Sequence, residues 1–238
     1  MTQSTLTQSP TSSKEISSKS GQNSIFSLPL MEVAETLLNI GAVKFNVDTP
    51  FEWTSGIKSP IYCDNRIINS KVEARDSILG VAVHHVWQNF PDVEIIAGVS
   101  TGGIPLGSLI ADRMKLPFIY VRGEAKKHGL MKQVEGVYGE GERVVLFEDH
   151  ISTGGSSKNA VEALRNVGLE VVCLLSVMTY GFESMKQSFK EQNILHQSLC
   201  DLDMILETAV KKGMLTEKQQ QEVLNFRQSP KTWYDNKK

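Results

Sequence analysis

Apolar positions along the chain follow two rhythms that alternate in a regular order. Residues 29–40 carry apolar side chains at helical spacing and stop at Gly41, which predicts an amphipathic helix. Residues 42–61 read as short strands and turns, punctuated by Ser55-Gly56 and Ser59-Pro60. A second helix is expected over 71–90, with Val72, Ile78, Leu79, Ala82 and Val86 on one side. From there the pattern predicts strand 94–99, helix 104–114, strand 118–121, strand 143–147, helix 155–167, strand 170–178 and helix 183–191. A short strand near 194–198 and two helices, 201–212 and 216–227, complete the series. Strands alternating with helices predict an α/β fold whose parallel sheet is covered on both faces. Ligands in such folds lie at the carboxyl ends of the strands, where the loops at 100–103 and 149–156 fall.

Composition narrows the class. With 238 residues and 40% apolar content, the chain can bury one α/β core and a small additional lobe. A net charge of −2 gives no electrostatic footprint for nucleic acid or an anionic membrane. No apolar run approaches the roughly 20 residues of a membrane span. Cys63, Cys173 and Cys200 are too scattered for a disulfide framework or a zinc site, a pattern that fits a reducing compartment such as the cytoplasm. Residues 1–24 contain eight Ser, four Thr and three Gln with almost no apolar content, and are expected to be disordered. They lack the apolar stretch of a signal peptide and the arginines of a transit peptide. The expected organisation is therefore a tail over 1–27 and one domain over 28–238.

Candidate chemistry concentrates in Val144-Val145-Leu146-Phe147-Glu148-Asp149-His150-Ile151-Ser152-Thr153-Gly154-Gly155-Ser156-Ser157. A buried strand should end at two adjacent carboxylates, followed by a hydroxyl- and glycine-rich loop that opens a helix. Free N–H groups and the positive dipole end at such a helix start attract phosphate. The carboxylates can accept hydrogen bonds from sugar hydroxyls or orient a hydrated Mg²⁺. Spacing excludes a Walker A loop. A structural turn would need fewer hydroxyls than Ser152, Thr153, Ser156 and Ser157 supply. Between strands 118–121 and 143–147 lies a stretch from Arg122 to Gly136 without apolar period, carrying Arg122, Lys126, Lys127, His128 and Lys132. Long loops of this kind are commonly functional lids, and a cationic lid over a phosphate site suits a polyanionic leaving group. His84-His85 has no partners at ligand spacing and reads as a helix-surface pair.

Three segments resemble the orotate branch of the type I phosphoribosyltransferases. Glu148 to Ser156 resembles the family's phosphoribosyl-diphosphate (PRPP) motif. Thr54-Ser55-Gly56-Ile57-Lys58-Ser59-Pro60-Ile61-Tyr62, with Asp64 and Arg66, resembles its acceptor segment. Arg122, Lys126 and His128 match its Arg-x-x-x-Lys-x-His-Gly lid. The resemblance runs from about Met31 to Trp233 and implies a parallel-sheet phosphoribosyltransferase fold with a small N-terminal hood over about 28–66. It also implies transfer of the 5-phosphoribosyl group from PRPP to orotate with Mg²⁺, bound mainly through PRPP and water, and a cytoplasmic homodimer whose lid is shared across subunits. Glu148 and Asp149 would hold ribose hydroxyls, and His150, Ile151, Ser152, Thr153, Gly154, Gly155 and Ser156 would bind PRPP, with Ser152 also contacting orotate. Arg122, Lys126 and His128 would grip the diphosphate. Gly123 stands where several members have lysine, as does Thr54, and Thr179-Tyr180-Gly181 lacks the arginine with which some read orotate. That role is expected to pass to Lys58 or Arg66.

Two other readings compete: a phosphoribosyltransferase for another base, and a regulatory protein that keeps the PRPP site as a sensor. The segment around Ser55 to Arg66 argues against the first. Retention of the lid and the lack of a basic surface argue against the second.

Overall fold

A computed structural model of the chain describes residues 27–53, 55–123 and 133–235. The first helix, α1 (Ser27–Asn39), is closed by Gly41, whose φ of 72° is open to glycine at no steric cost. Two small antiparallel ladders follow. β1 (Val43–Phe45) pairs with β4 (Ile61–Cys63), and between them β2 (Phe51–Glu52) pairs with β3 (Lys58–Ser59). A 3₁₀ turn over Asn65–Ser70 begins at Asp64, whose side chain accepts from the Arg66 N–H. Helix α2 (Val72–Asn89) then buries Ala74, Ile78, Leu79, Ala82 and Val86. Val72, expected on that face, is instead exposed because it opens the helix.

The remaining elements are β5 (Ile95–Val99), α3 (Gly103–Met114), β6 (Phe118–Val121), β7 (Val134–Glu135), β8 (Arg143–Ile151) and α4 (Gly155–Asn166). After them come β9 (Glu170–Thr179), α5 (Glu183–Glu191), β10 (His196–Asp201), α6 (Leu202–Lys211) and α7 (Glu217–Gln228). Six strands form one sheet in the order β10-β9-β8-β5-β6-β7, parallel except for β7. From β5 the chain winds one way through α3 to β6. From β8 it winds the other way through α4 to β9 and through α5 to β10. Right-handed crossovers therefore set α3 on one face and α4 and α5 on the other. The point where the winding reverses lies between β5 and β8, and the carboxyl ends of those two strands form the crevice.

Three elements differ from expectation. β8 does not stop at Phe147 but runs to Ile151, because pairing with β9 continues through Glu148↔Ser176 and Ile151↔Thr179. The acid pair thus sits inside a strand. The stretch after β6 is not wholly structureless: Val134–Glu135 returns as β7 against Tyr120 and Val121. β10 begins at His196, since Asn193 at φ 51° turns the chain and delays pairing.

Candidate active site

At the reversal point the loop after β5 and the loop after β8 enclose a cavity of about 210 Å³. Its walls are Ser100, Thr101 and Gly102 on one side and the run from Glu148 to Gly154, with Ser156 and Ser157, on the other. Glycine is dictated by space at two of these positions. A Cβ on Gly102 would lie 2.4 Å from the Asp149 carboxyl carbon. One on Gly154 would lie 2.8 Å from the Phe189 ring, at a φ of 78° that L side chains avoid. Gly154 caps α4, so the N–H groups of the first turn point at the cavity without intrahelical partners. Backbone donors, hydroxyls and a helix dipole make the loop side of this cavity an anion site.

The acid pair forms its floor. Glu148 and Asp149 are only 5% and 8% exposed, and carboxylates so buried need compensation. Ser157 donates to Glu148 Oε2 at 3.3 Å, and the Asp149 N–H donates to Glu148 Oε1 at 3.3 Å. The His150 N–H donates to Asp149 Oδ1 at 2.9 Å. His150 Nδ1 also lies 3.2 Å from Asp149 Oδ2, although not along the ring N–H direction. Burial, and then the neighbouring Asp149 charge, push the Glu148 carboxyl up to about 9. Burial would raise Asp149 as well, but the His150 contacts outweigh it and hold Asp149 below its ordinary value. The free pair therefore retains one proton at neutral pH, with Glu148 able to donate and Asp149 to accept.

A second cavity, about 460 Å³, adjoins the first. Trp53, Tyr62 and Tyr180 give it aromatic walls, and Glu52, Asp64 and Arg66 give it charge. His150, Ser152 and Thr153 line both cavities. Trp53 meets Tyr180 edge-on at 5.2 Å and Phe226 of α7 at 5.7 Å, and Phe226 in turn meets Trp233 at 5.7 Å. Burial pushes the Cys63 thiol and the Tyr180 phenol up, so neither supplies a nucleophile near neutral pH.

The expected site residues fall into three groups. Glu148 to Gly154 and Ser156 converge on the first cavity, with Gly155 opening α4 beside it. Arg66 lines the second, where Asp64 accepts from its Nε at 2.6 Å and its Nη2 at 3.0 Å. Lys58 is paired with Glu52 and lines neither cavity. Arg122 is fixed at the stem of the β6–β7 hairpin, where its N–H donates to Gln133 O at 2.9 Å and its Nη1 lies 3.5 Å from Glu135 Oε1. Lys126 and His128, and with them Lys127 and Lys132, lie outside the described residues. Thr101 and Gly102 were legible only as part of a strand-end loop, and Trp53 and Tyr180 carried no signal beyond being aromatic. His85, expected as a surface group, contacts Gln197 Oε1 through Nε2 at 2.6 Å.

Among the described residues no three His, Cys, Asp or Glu side chains cluster as a metal cage. Two buried carboxylates beside hydroxyls fit a hydrated divalent ion whose remaining ligands come from a bound phosphate ester.

Comparison with known proteins points to one family. Residues 82–203 match the phosphoribosyl transferase domain. Orotate phosphoribosyltransferase of Bacillus cereus is 43% identical over 199 residues, covering 84% of this chain and 95% of the relative. That of Cytophaga hutchinsonii is 43% identical over 202 residues, covering 85% and 97%. Among solved structures, orotate phosphoribosyltransferase from Aeropyrum pernix superposes with a TM-score of 0.67 at 31% identity, covering 77% of this chain and 99% of that one. Leishmania donovani UMP synthase gives a TM-score of 0.70 at 27% identity, covering 83% of this chain and 42% of that one.

Proposed function

The chain belongs to the orotate phosphoribosyltransferase family, and from that membership we propose how its two cavities divide the reaction. The protein transfers the 5-phosphoribosyl group from PRPP to orotate, yielding orotidine 5′-monophosphate and diphosphate in pyrimidine biosynthesis. A ring nitrogen of orotate forms a bond to the anomeric carbon and gives up its proton to the departing diphosphate or to water, while that carbon's bond to the diphosphate oxygen breaks and the electron pair leaves with the diphosphate. The observation that carries the division of the site is its shared wall: His150, Ser152 and Thr153 face both cavities, so donor and acceptor meet there.

In this reading the run Ser152–Ser156 cradles the 5′-phosphate of PRPP through N–H groups and hydroxyls. Glu148 and Asp149 hold the ribose hydroxyls. With one shared proton they can donate to one oxygen and accept from another, while keeping one negative charge beside a carbon that becomes cationic. Arg122, Lys126 and His128 grip the departing diphosphate, Arg122 from the foot of the β6–β7 hairpin. Arg66 and Ser152 reach the acceptor side, and Lys58 contributes only by leaving Glu52. Trp53, Tyr62 and Tyr180 supply aromatic faces for a pyrimidine. Mg²⁺ would be held by PRPP oxygens and water next to the acid pair, neutralising charge that develops on the diphosphate. No covalent nucleophile is needed. We place the enzyme in the cytoplasm, on the strength of the free thiols of Cys63, Cys173 and Cys200. We assign it a homodimer with the lid shared between subunits and a hood formed by residues up to about 66.

The test is turnover. Purified protein with PRPP, orotate and Mg²⁺ should consume orotate and stop on addition of a chelator. Purine bases should give no product. Purine turnover, or PRPP binding without any turnover, would overturn the assignment. Mixing Lys126→Ala protein with Asp149→Asn protein should restore activity if the lid crosses between subunits.

A further inference from the structure

One buried side chain that lines neither cavity ties the segment beside one to the strand that floors the other. Asn65 is 1% exposed and stands between Asp64 and Arg66, both of which line the acceptor cavity. Its Nδ2 donates to the backbone carbonyl of Asp149, 84 residues away in sequence, at 2.7 Å. Its Oδ1 accepts from Cys63 Sγ at 3.1 Å, which leaves the amide one orientation. The carbonyl it holds belongs to the peptide whose N–H, on His150, donates to Asp149 Oδ1 at 2.9 Å. Both ends of that peptide plane are therefore engaged: Asn65 fixes the oxygen, and the hydrogen aims the carboxylate. β8 has by then passed its last pairing with β5, at Phe147↔Gly98, so the sheet holds this peptide from one side only.

We infer that Asn65 is a positioning residue that locks the Asp149–His150 peptide and so aligns the ribose-holding carboxylate with the acceptor segment. The inference rests on the division of the site proposed above. A clamp of this kind acts on orientation, and misplacement of a reacting group by about 1 Å can cost as much as 100-fold in rate. A buried amide could also serve only to satisfy polar atoms, and the two roles differ in what they move. Loss of alignment lowers kcat, whereas loss of fold lowers the amount of folded enzyme.

Asn65→Ala should lower kcat by roughly tenfold or more, with KM for PRPP and for orotate changed less than about threefold. Asn65→Asp keeps the shape but places a carboxylate oxygen against the Asp149 carbonyl, so it should lose kcat to a similar degree while preserving the packing. Ile68→Val, in the same 3₁₀ turn and fully buried, is the comparison: it should lower the melting temperature with kcat near wild type. The inference is overturned if Asn65→Ala and Asn65→Asp keep wild-type kcat. It is equally overturned if they lose activity only in proportion to lost folded protein, as Ile68→Val would. Failure of the wild type to turn over orotate would instead overturn the functional assignment.

Discussion

Replacing Glu148 by Gln should stabilise the free protein, and by an amount that grows with pH. Glutamine has the shape of the protonated acid but cannot ionise. In the unfolded chain Glu148 titrates near 4.5, whereas in the folded protein burial and Asp149 raise it to about 9. Between those values the folded state holds a proton that the unfolded state has released. Stability of the wild type therefore falls as pH rises through that window. At pH 8 the interval above 4.5 corresponds to a ceiling of about 5 kcal/mol at 1.36 kcal/mol per pH unit. The pair borders a cavity open to water, and an effective dielectric nearer 20 than 4 reduces the expected share to ~2 kcal/mol. For a chain of this size that is a rise in melting temperature of roughly 4–8 °C at pH 8, shrinking to roughly 1–2 °C at pH 5. Asp149, held below its ordinary value, contributes stability that is lost only as pH falls through the acid range, below the pH window compared. Thermal melts of both proteins at several pH values, without substrate or metal, test this. A difference independent of pH, or a less stable Gln variant at pH 8, would refute the proton count assigned to the pair.

Other consequences are open to direct measurement. Gly154→Ala brings a Cβ to 2.8 Å from the Phe189 ring at a positive φ, and should cost about 2–4 kcal/mol in denaturant unfolding, combining backbone strain with overpacking. Arg66→Ala should raise KM for orotate by roughly tenfold, since Arg66 lines the larger cavity, while Lys58→Ala should raise KM less, since Lys58 does not line that cavity and reaches it only through its pairing with Glu52. Unchanged KM in both would remove these residues from the acceptor site. Trp53 lines that cavity as well, so orotate should quench tryptophan fluorescence in the wild type and not in Trp53→Phe.

Much of this was legible in the sequence because it was written locally. The loops at 100–102 and 152–154, the helix over 71–90 and the strand–helix alternation follow from short-range periodicity and turn chemistry. What escaped was set by distant partners. Glu148 and Asp149 read as the point where a strand stops and His150 as part of the loop after it, and only pairing with β9 keeps them in the strand. Val134–Glu135 is too short to announce itself and forms because β6 offers an edge. Nothing in the sequence singles out Asn65, because its partner is 84 positions away. The charges of Lys58 and Arg66 were visible, but not that Glu52 and Asp64 stand beside them.

The chain of edge-to-face rings that runs from Trp53 through Phe226 to Trp233 makes the larger cavity depend on α7. Truncation before Phe226 would leave the residues lining the smaller cavity in place, yet remove the backing from one wall of the larger one. In a kinetic assay such a protein would look like a specificity variant rather than an unfolded one, with weakened orotate saturation and PRPP binding intact. A fusion or surface attachment at that terminus would act through the same rings, so immobilised forms of this enzyme are better tethered elsewhere.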